Sequence, residues 1–152
     1  MRAHRLGIAG GLLAASLLAP AASAAPPPVT TITIDVTFGG PEFFTATGDL
    51  VCDSGTAVSG PTIVAGGGRR GGGVLTFHVV KTLTCADGSG TFKLLVDAAA
   101  SRTSPGTVGG FAAGHGTEDY IGLHGGGHLA GTARPDGTGV TDVYTGRLRI
   151  VG

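Results

Sequence analysis

Hydrophobic and polar residues alternate along most of the chain after residue 28. In the first such run, every second side chain is hydrophobic, at Ile32, Ile34, Val36 and Phe38. Runs with the same period of two follow at 44–50, 75–84, 91–97 and 140–151, and a weaker one at 56–64 is interrupted by Gly60 and Pro61. A period of two places alternate side chains on opposite faces of an extended strand, so each run predicts a half-buried β-strand.

Glycine separates these runs, since 30 of the 152 residues are Gly. Between Gly106 and Arg134 many glycines lie among the hydrophobic residues, and we expect short bent strands there. At 98–102 three consecutive alanines predict at most one helical turn. The pattern predicts an all-β domain, a single antiparallel closed β-barrel of about eight strands, with a β-sandwich as the alternative. We favour the barrel because closure pairs every strand edge.

The N-terminal segment has the features of a secretory signal peptide. Two arginines near residue 1 precede an apolar run at 6–18, and Ala22-Ser23-Ala24 resembles a cleavage site. The run is shorter than the ~20 residues of a transmembrane helix. We therefore expect residues 1–24 to be a helical signal peptide, 25–28 a Pro-rich spacer, and 29–152 the barrel domain, secreted to the extracellular space. An uncleaved membrane anchor is the alternative.

The chain contains two cysteines, Cys52 and Cys85. Each lies where an extended run meets a turn, which is typical of two neighbouring strand ends joined to each other. In an oxidising compartment an even number of cysteines favours disulfide formation. We predict one Cys52–Cys85 disulfide, with a pair of free thiols as the alternative.

Charge and composition exclude several classes of function. The formal net charge is 0, and loss of Arg2 and Arg5 with the leader would leave 8 basic and 10 acidic residues. This balance gives no electrostatic reason to expect a nucleic-acid partner. The chain has no Trp, Asn or Gln, side chains that sugar-binding sites commonly use, which disfavours a lectin or a glycosidase. After signal cleavage we expect no membrane attachment.

Three histidines close in sequence, His115, His124 and His128, form one candidate metal site. Neutral imidazole is a common ligand of Zn²⁺ and Cu²⁺, and the carboxylates of Glu118 and Asp119 would complete a ligand set. The spacing of His124 and His128 would place them together on a helix, but the three glycines between them disfavour one. We therefore favour surface histidines and predict no cofactor.

A second candidate site lies on the last predicted strand. Asp142 shares a strand face with Tyr144 and Leu148. If that face points inward, the carboxyl group needs a charged or hydrogen-bonding partner, because an unpaired buried carboxylate is unfavourable. Such a group either orients a ligand or satisfies the local backbone. Asp142 and Tyr144, together with Tyr120, are the candidate ligand-binding residues.

Three short elements carry a resemblance to known proteins: Cys-Ala-Asp-Gly-Ser-Gly-Thr-Phe at 85–92, Tyr-Ile-Gly-Leu-His-Gly-Gly-Gly at 120–127 and Asp-Val-Tyr-Thr-Gly at 142–146. Over about 52–148 the chain resembles small exported proteins of high-GC Gram-positive bacteria. The element at 120–127 is also similar to that of the allene oxide cyclase-like barrels. This resemblance implies an eight-stranded antiparallel calycin-type barrel. In the plant cyclases the substrate occupies a deep apolar cavity.

We therefore expect a secreted, disulfide-stabilised β-barrel without catalytic activity that binds a small apolar ligand or a cell-envelope partner. The alternative is an enzyme, either a cyclase-like isomerase that works in the barrel cavity or a metal-assisted hydrolase at His115, His124 and His128. A third class is a structural component of the cell envelope or spore coat, for which self-association would be the sign.

Overall fold

The computed structural model describes residues 26–66, 73–101 and 106–152. The predicted signal peptide at 1–24 lies outside these ranges. Among the described residues there is no helix with the length and hydropathy that crossing a membrane would require.

The described residues form nine β-strands. They are β1 (Val29–Thr37), β2 (Glu42–Thr47), β3 (Ser54–Ser59), β4 (Ile63–Gly66), β5 (Val74–Cys85), β6 (Thr91–Ser101), β7 (Thr107–Gly114), β8 (Leu123–Ala133) and β9 (Gly139–Ile150). A single turn of 3-10 helix at Glu118–Tyr120 lies between β7 and β8.

Eight of these strands close into an antiparallel barrel in the order β3-β2-β1-β9-β8-β7-β6-β5, and β3 pairs with β5 to complete the ring. The extra strand β4 pairs with the same edge of β5 as β3 does. β3 pairs with Lys81–Cys85 and β4 with Leu75–His78. The predicted closed barrel is confirmed, and the weak run at 56–64 is two strands separated at residues 60–62.

Strands are present between Gly106 and Arg134, but the expectation that they are short is wrong, since β7 has 8 residues and β8 has 11. β7 and β8 are continuous strands that pair from Thr107↔Gly131 to Ala113↔Gly125. Glycine here allows the backbones of neighbouring strands to approach closely. A Cβ atom on Gly127 would lie only 2.1 Å from the Thr145 carbonyl oxygen of β9. No residue with a side chain fits there without a shift of the backbone.

The expected helical turn at 98–102 is also wrong within the described residues. Ala98 to Ser101 form the end of β6, where Ala98 pairs with Phe77 of β5 and with Gly109 of β7. Pairing on both sides supplies a full set of backbone hydrogen bonds, which outweighs the helical preference of alanine.

The barrel has two different ends. The connections between β2 and β3, β5 and β6, and β7 and β8 lie at one end, where Cys52 and Cys85 form the predicted disulfide with 5.9 Å between their Cα atoms. We call this the disulfide end. Its interior is filled by aromatic rings: the centroid of Phe92 lies 6.2 Å from that of Phe44 and 5.2 Å from that of Tyr120. The turns at 38–41 and 134–138 lie at the other end, which we call the mouth.

An Asp-Gly pair makes a turn at each end. In the β5–β6 turn, Asp87 Oδ1 accepts hydrogen bonds from the hydroxyl of Ser89 at 2.6 Å and from its backbone N–H at 2.9 Å. In the β8–β9 turn, Asp136 Oδ1 accepts the equivalent bonds from the backbone N–H and hydroxyl of Thr138. These bonds stabilise the charged carboxylates and lower the pKa of both aspartates.

Candidate ligand-binding cavity

A cavity of about 420 Å³ opens at the mouth of the barrel. This volume lies within the range of about 300–1,000 Å³ that is typical of small-molecule sites. All eight strands of the closed ring contribute inward-facing residues to it. The hydrocarbon part of the wall is Val36, Phe38, Phe77, Val79, Val96, Ala98, Leu129 and Val140. The cavity therefore offers an apolar lining that is continuous with the barrel core.

A lysine is buried in this wall. Lys81 is 4% exposed and lies at an inward position of β5, between Val79 and Leu83. Its ammonium group donates a hydrogen bond to Glu42 Oε2 at 2.9 Å and another to Ser59 Oγ at 2.7 Å. The Ser59 hydroxyl in turn donates to the same Glu42 oxygen at 3.1 Å. Lys81, Glu42 and Ser59 thus form a closed triangle of charge-assisted hydrogen bonds.

Asp142 and Tyr144 complete the polar part of the wall. Both face inward from β9, and the Tyr144 hydroxyl donates to Asp142 Oδ2 at 3.3 Å. Burial raises the pKa of Asp142, while the positive charge of Lys81 acts in the opposite direction. Burial and the neighbouring Asp142 carboxylate raise the pKa of Tyr144, so the phenol stays protonated. The partner that an inward Asp142 requires is therefore the hydroxyl of Tyr144.

Sequence reasoning missed Lys81, Glu42 and Ser59. A signal was present for the lysine, because it occupies the same alternation face as Leu75, Phe77 and Leu83. A charged residue on an otherwise hydrophobic strand face indicates either an error in the assigned face or a paired buried charge. Glu42 and Ser59 carried no such signal, since each lies at one end of its strand.

Tyr120 lies apart from Asp142 and Tyr144, at the disulfide end. It is 4% exposed, and its hydroxyl accepts a hydrogen bond from the backbone N–H of Cys52 at 3.0 Å. The same hydroxyl lies 3.4 Å from Cys85 Sγ and 2.8 Å from Ser89 Oγ. Tyr120 therefore links the β2–β3 connection, which contains Cys52, to the end of β5 and the β5–β6 turn, which contain Cys85 and Ser89.

A second depression, of about 730 Å³, lies beside Tyr120. Four aspartates line it, Asp49, Asp53, Asp87 and Asp119, and all four are exposed. Exposed acidic side chains remain hydrated and are common on protein surfaces. Although this depression is larger, the smaller cavity at the mouth has the buried polar groups in an apolar wall that characterise binding sites.

The three histidines are not brought together. His124 and His128 lie on the outer face of β8, and His115 lies in the connection that precedes this strand. The ring of His124 is already engaged, since Nδ1 lies 3.0 Å from the Gly122 carbonyl oxygen and Nε2 contacts the guanidinium of Arg149. The metal-site hypothesis gains no support from this arrangement.

Within the described residues, one group of three potential metal ligands has its donor atoms within 4.8 Å of one another: Cys52, Cys85 and Asp87. Its two sulfur atoms form the disulfide, so they are not thiolates that could hold a metal.

No family model, curated protein or solved structure matches this chain. The resemblance to the allene oxide cyclase-like barrels therefore stays a prediction.

Proposed function

We propose that the protein binds one small, largely apolar molecule inside the mouth of the barrel. The observation that carries the proposal is the cavity of about 420 Å³, in which a hydrocarbon lining meets a small set of buried polar side chains. Binding sites for small molecules typically combine these two features. A barrel interior with no ligand to hold is normally close-packed, as the disulfide end is.

The buried ion pair between Lys81 and Glu42 supports the same proposal. The two side chains are 6% and 13% exposed, so both charges have lost most of their hydration. Replacing such a pair with hydrophobic residues is often neutral or stabilising, which makes stability a weak reason for its presence. The pair would have a role if it orients a polar group of a bound molecule.

We place this binding outside the cell. The predicted signal peptide at 1–24 supports export, and the Cys52–Cys85 disulfide is the kind of crosslink that persists in oxidising compartments. Mass spectrometry of protein recovered from the culture medium tests this: the expected mass corresponds to cleavage after Ala24 with two hydrogens lost on disulfide formation. Retention of the leader in a cell-bound protein would contradict it.

The binding proposal is tested with N-phenyl-1-naphthylamine, an uncharged apolar dye whose fluorescence rises in an apolar site. We expect saturable binding of one dye per chain to the wild-type protein. Ala98→Phe places a ring into the cavity and should weaken dye binding at least about tenfold, since the available volume falls.

Ala112→Phe is the matched control, because Ala112 is an exposed strand residue on the outer face of β7. This variant should bind the dye as the wild type does. Circular dichroism should show that both variants keep their strands. No saturable dye binding to the wild type, or equal binding by the Ala98→Phe variant, would overturn the proposal.

A further inference from the structure

The charged side chains that line the cavity do not balance within the part of the chain that the structure describes. Among the described residues that line it, the charged side chains are Lys81, Glu42 and Asp142, one cation against two carboxylates. The nearby cation Arg134 is not part of the wall: its guanidinium lies 3.4 Å from the carboxylate of Asp35 and donates to the hydroxyl of Thr37. With every group ionised, the described wall carries one negative charge in excess.

The hydrogen bonds locate this excess at Asp142. Glu42 Oε2 accepts from both Lys81 and Ser59 and so is well satisfied. Asp142 has a single side-chain partner among the described residues, the Tyr144 hydroxyl, and that bond is long at 3.3 Å. A carboxylate has about four acceptor sites, so most of the accepting capacity of Asp142, which lines the cavity, has no side-chain partner among the described residues. Burial raises the pKa of Asp142 although the positive charge of Lys81 acts in the opposite direction, so Lys81 compensates this charge only in part.

We propose that the ligand carries a protonated amine beside its apolar body, and that the Asp142 carboxylate receives this amine. The inference rests on the proposed function and specifies the ligand class of the same cavity. An ammonium group would neutralise the excess charge of the described wall and donate to the Asp142 carboxylate. A ligand carboxylate would instead meet two carboxylates and one lysine that is already paired with Glu42, and juxtaposition of like charges in a partly desolvated site is strongly unfavourable.

Three ligands of equal chain length separate these possibilities: octylamine, 1-octanol and octanoate, each added to the full protein at pH 7 in competition with N-phenyl-1-naphthylamine. At this pH the amine is protonated and the acid is ionised. We expect octylamine to displace the dye at a concentration at least about tenfold lower than octanoate, with 1-octanol between them. Isothermal titration calorimetry with octylamine alone should give one site per chain.

Asp142→Asn keeps the shape of the side chain and removes its charge. This variant should lose about tenfold in octylamine affinity and change in 1-octanol affinity by less than about twofold. Asp136→Asn is the matched control, because Asp136 lies in the exposed β8–β9 turn outside the cavity wall, and all three affinities should stay at wild-type values.

The outcomes distinguish the two proposals. Dye binding with equal displacement by all three ligands, or with octanoate the tightest, would overturn the amine inference and leave the binding cavity standing. Unchanged octylamine affinity in Asp142→Asn would also overturn the inference. Failure of the wild-type protein to bind the dye or any of the three ligands would overturn both.

Discussion

The two ends of the barrel are built from the same strands but filled in different ways. At the disulfide end, Phe44, Phe92 and Tyr120 pack against one another, and a covalent crosslink lies beside them. At the mouth, Phe38, Phe77, Tyr144 and smaller hydrocarbon side chains leave a cavity open beside a set of charged groups.

We infer from this contrast that the disulfide end mainly stabilises the fold and that the mouth mainly serves binding. Close-packed aromatic rings and a disulfide contribute directly to the free energy of unfolding. A cavity and buried charges contribute little to it, and the proposed binding function would account for them. Substitutions at the two ends should therefore separate stability from binding, and the following predictions test this separation.

The largest effect is expected from truncating a ring at the disulfide end. Phe92 is fully buried, so Phe92→Ala should lower the free energy of unfolding by about 3–5 kcal/mol in urea denaturation. The matched substitution at the mouth is Phe38→Ala, because Phe38 is 65% exposed and lines the cavity. It should change stability by less than about 0.5 kcal/mol but weaken dye binding. Equal losses of stability would show that the two ends are not specialised.

The next effect concerns the buried ion pair. Lys81→Met leaves the Glu42 carboxylate buried without its counter-ion and should cost about 3 kcal/mol of unfolding free energy. The double variant Lys81→Met with Glu42→Leu removes both charges and should recover most of that loss. A double variant that is as unstable as the single one would show that the pair itself stabilises the fold, against the role proposed for it.

The smallest effect is a dependence of stability on pH. Burial raises the pKa of Asp142 above its unfolded value, so ionisation of this group opposes folding. The penalty is absent below the unfolded carboxyl pKa and grows as pH rises through the raised pKa of the folded state. Asp142→Asn should therefore melt with the wild type near pH 3 and at a higher temperature at pH 7, as measured by differential scanning calorimetry.

Asp136→Asn should show the opposite sign. Hydrogen bonds from Thr138 lower the pKa of Asp136, so its contribution is present above the unfolded carboxyl pKa and is lost as pH falls through the lowered one. This variant should be less stable than the wild type at pH 7 and equal to it at low pH. The same sign in both variants would contradict the assignment of Asp142 as a half-buried charge that is only partly compensated.

The barrel could be predicted from sequence because most of its strands have one inward and one outward face. In β1, Ile32 and Ile34 point inward and are at most 1% exposed, whereas Asp35 points outward and is exposed. The disulfide could be predicted because both cysteines end extended runs. These features are local, and a period of two makes them visible without knowledge of the neighbouring strands.

The strands β7 and β8 and the polar wall of the cavity could not be predicted in this way, because they depend on residues of neighbouring strands. Inward positions such as Gly109 and Gly127 carry no side chain, so the alternation disappears although the strands continue. Lys81 and Glu42 meet only because β3 lies between β2 and β5, which places Ala57 opposite Glu42 and Ser59 opposite Lys81. The opposite locations of Tyr120 and Tyr144 likewise follow from the closed ring, and no local pattern contains that information.

We expect the pairing of β1 with β9 to limit the folding rate of this chain. It runs from Val29↔Arg147 to Thr37↔Gly139, so it joins residues more than one hundred positions apart, whereas β5 to β9 pair as successive hairpins. Contacts between distant residues form slowly because a long loop has to close first.

The disulfide shortens that loop by about 33 residues, and the entropy of loop closure depends only logarithmically on loop length. We therefore expect reduction of the disulfide to slow refolding by about twofold or less in stopped-flow measurements; a much larger slowing would show that the crosslink organises the ring before it closes.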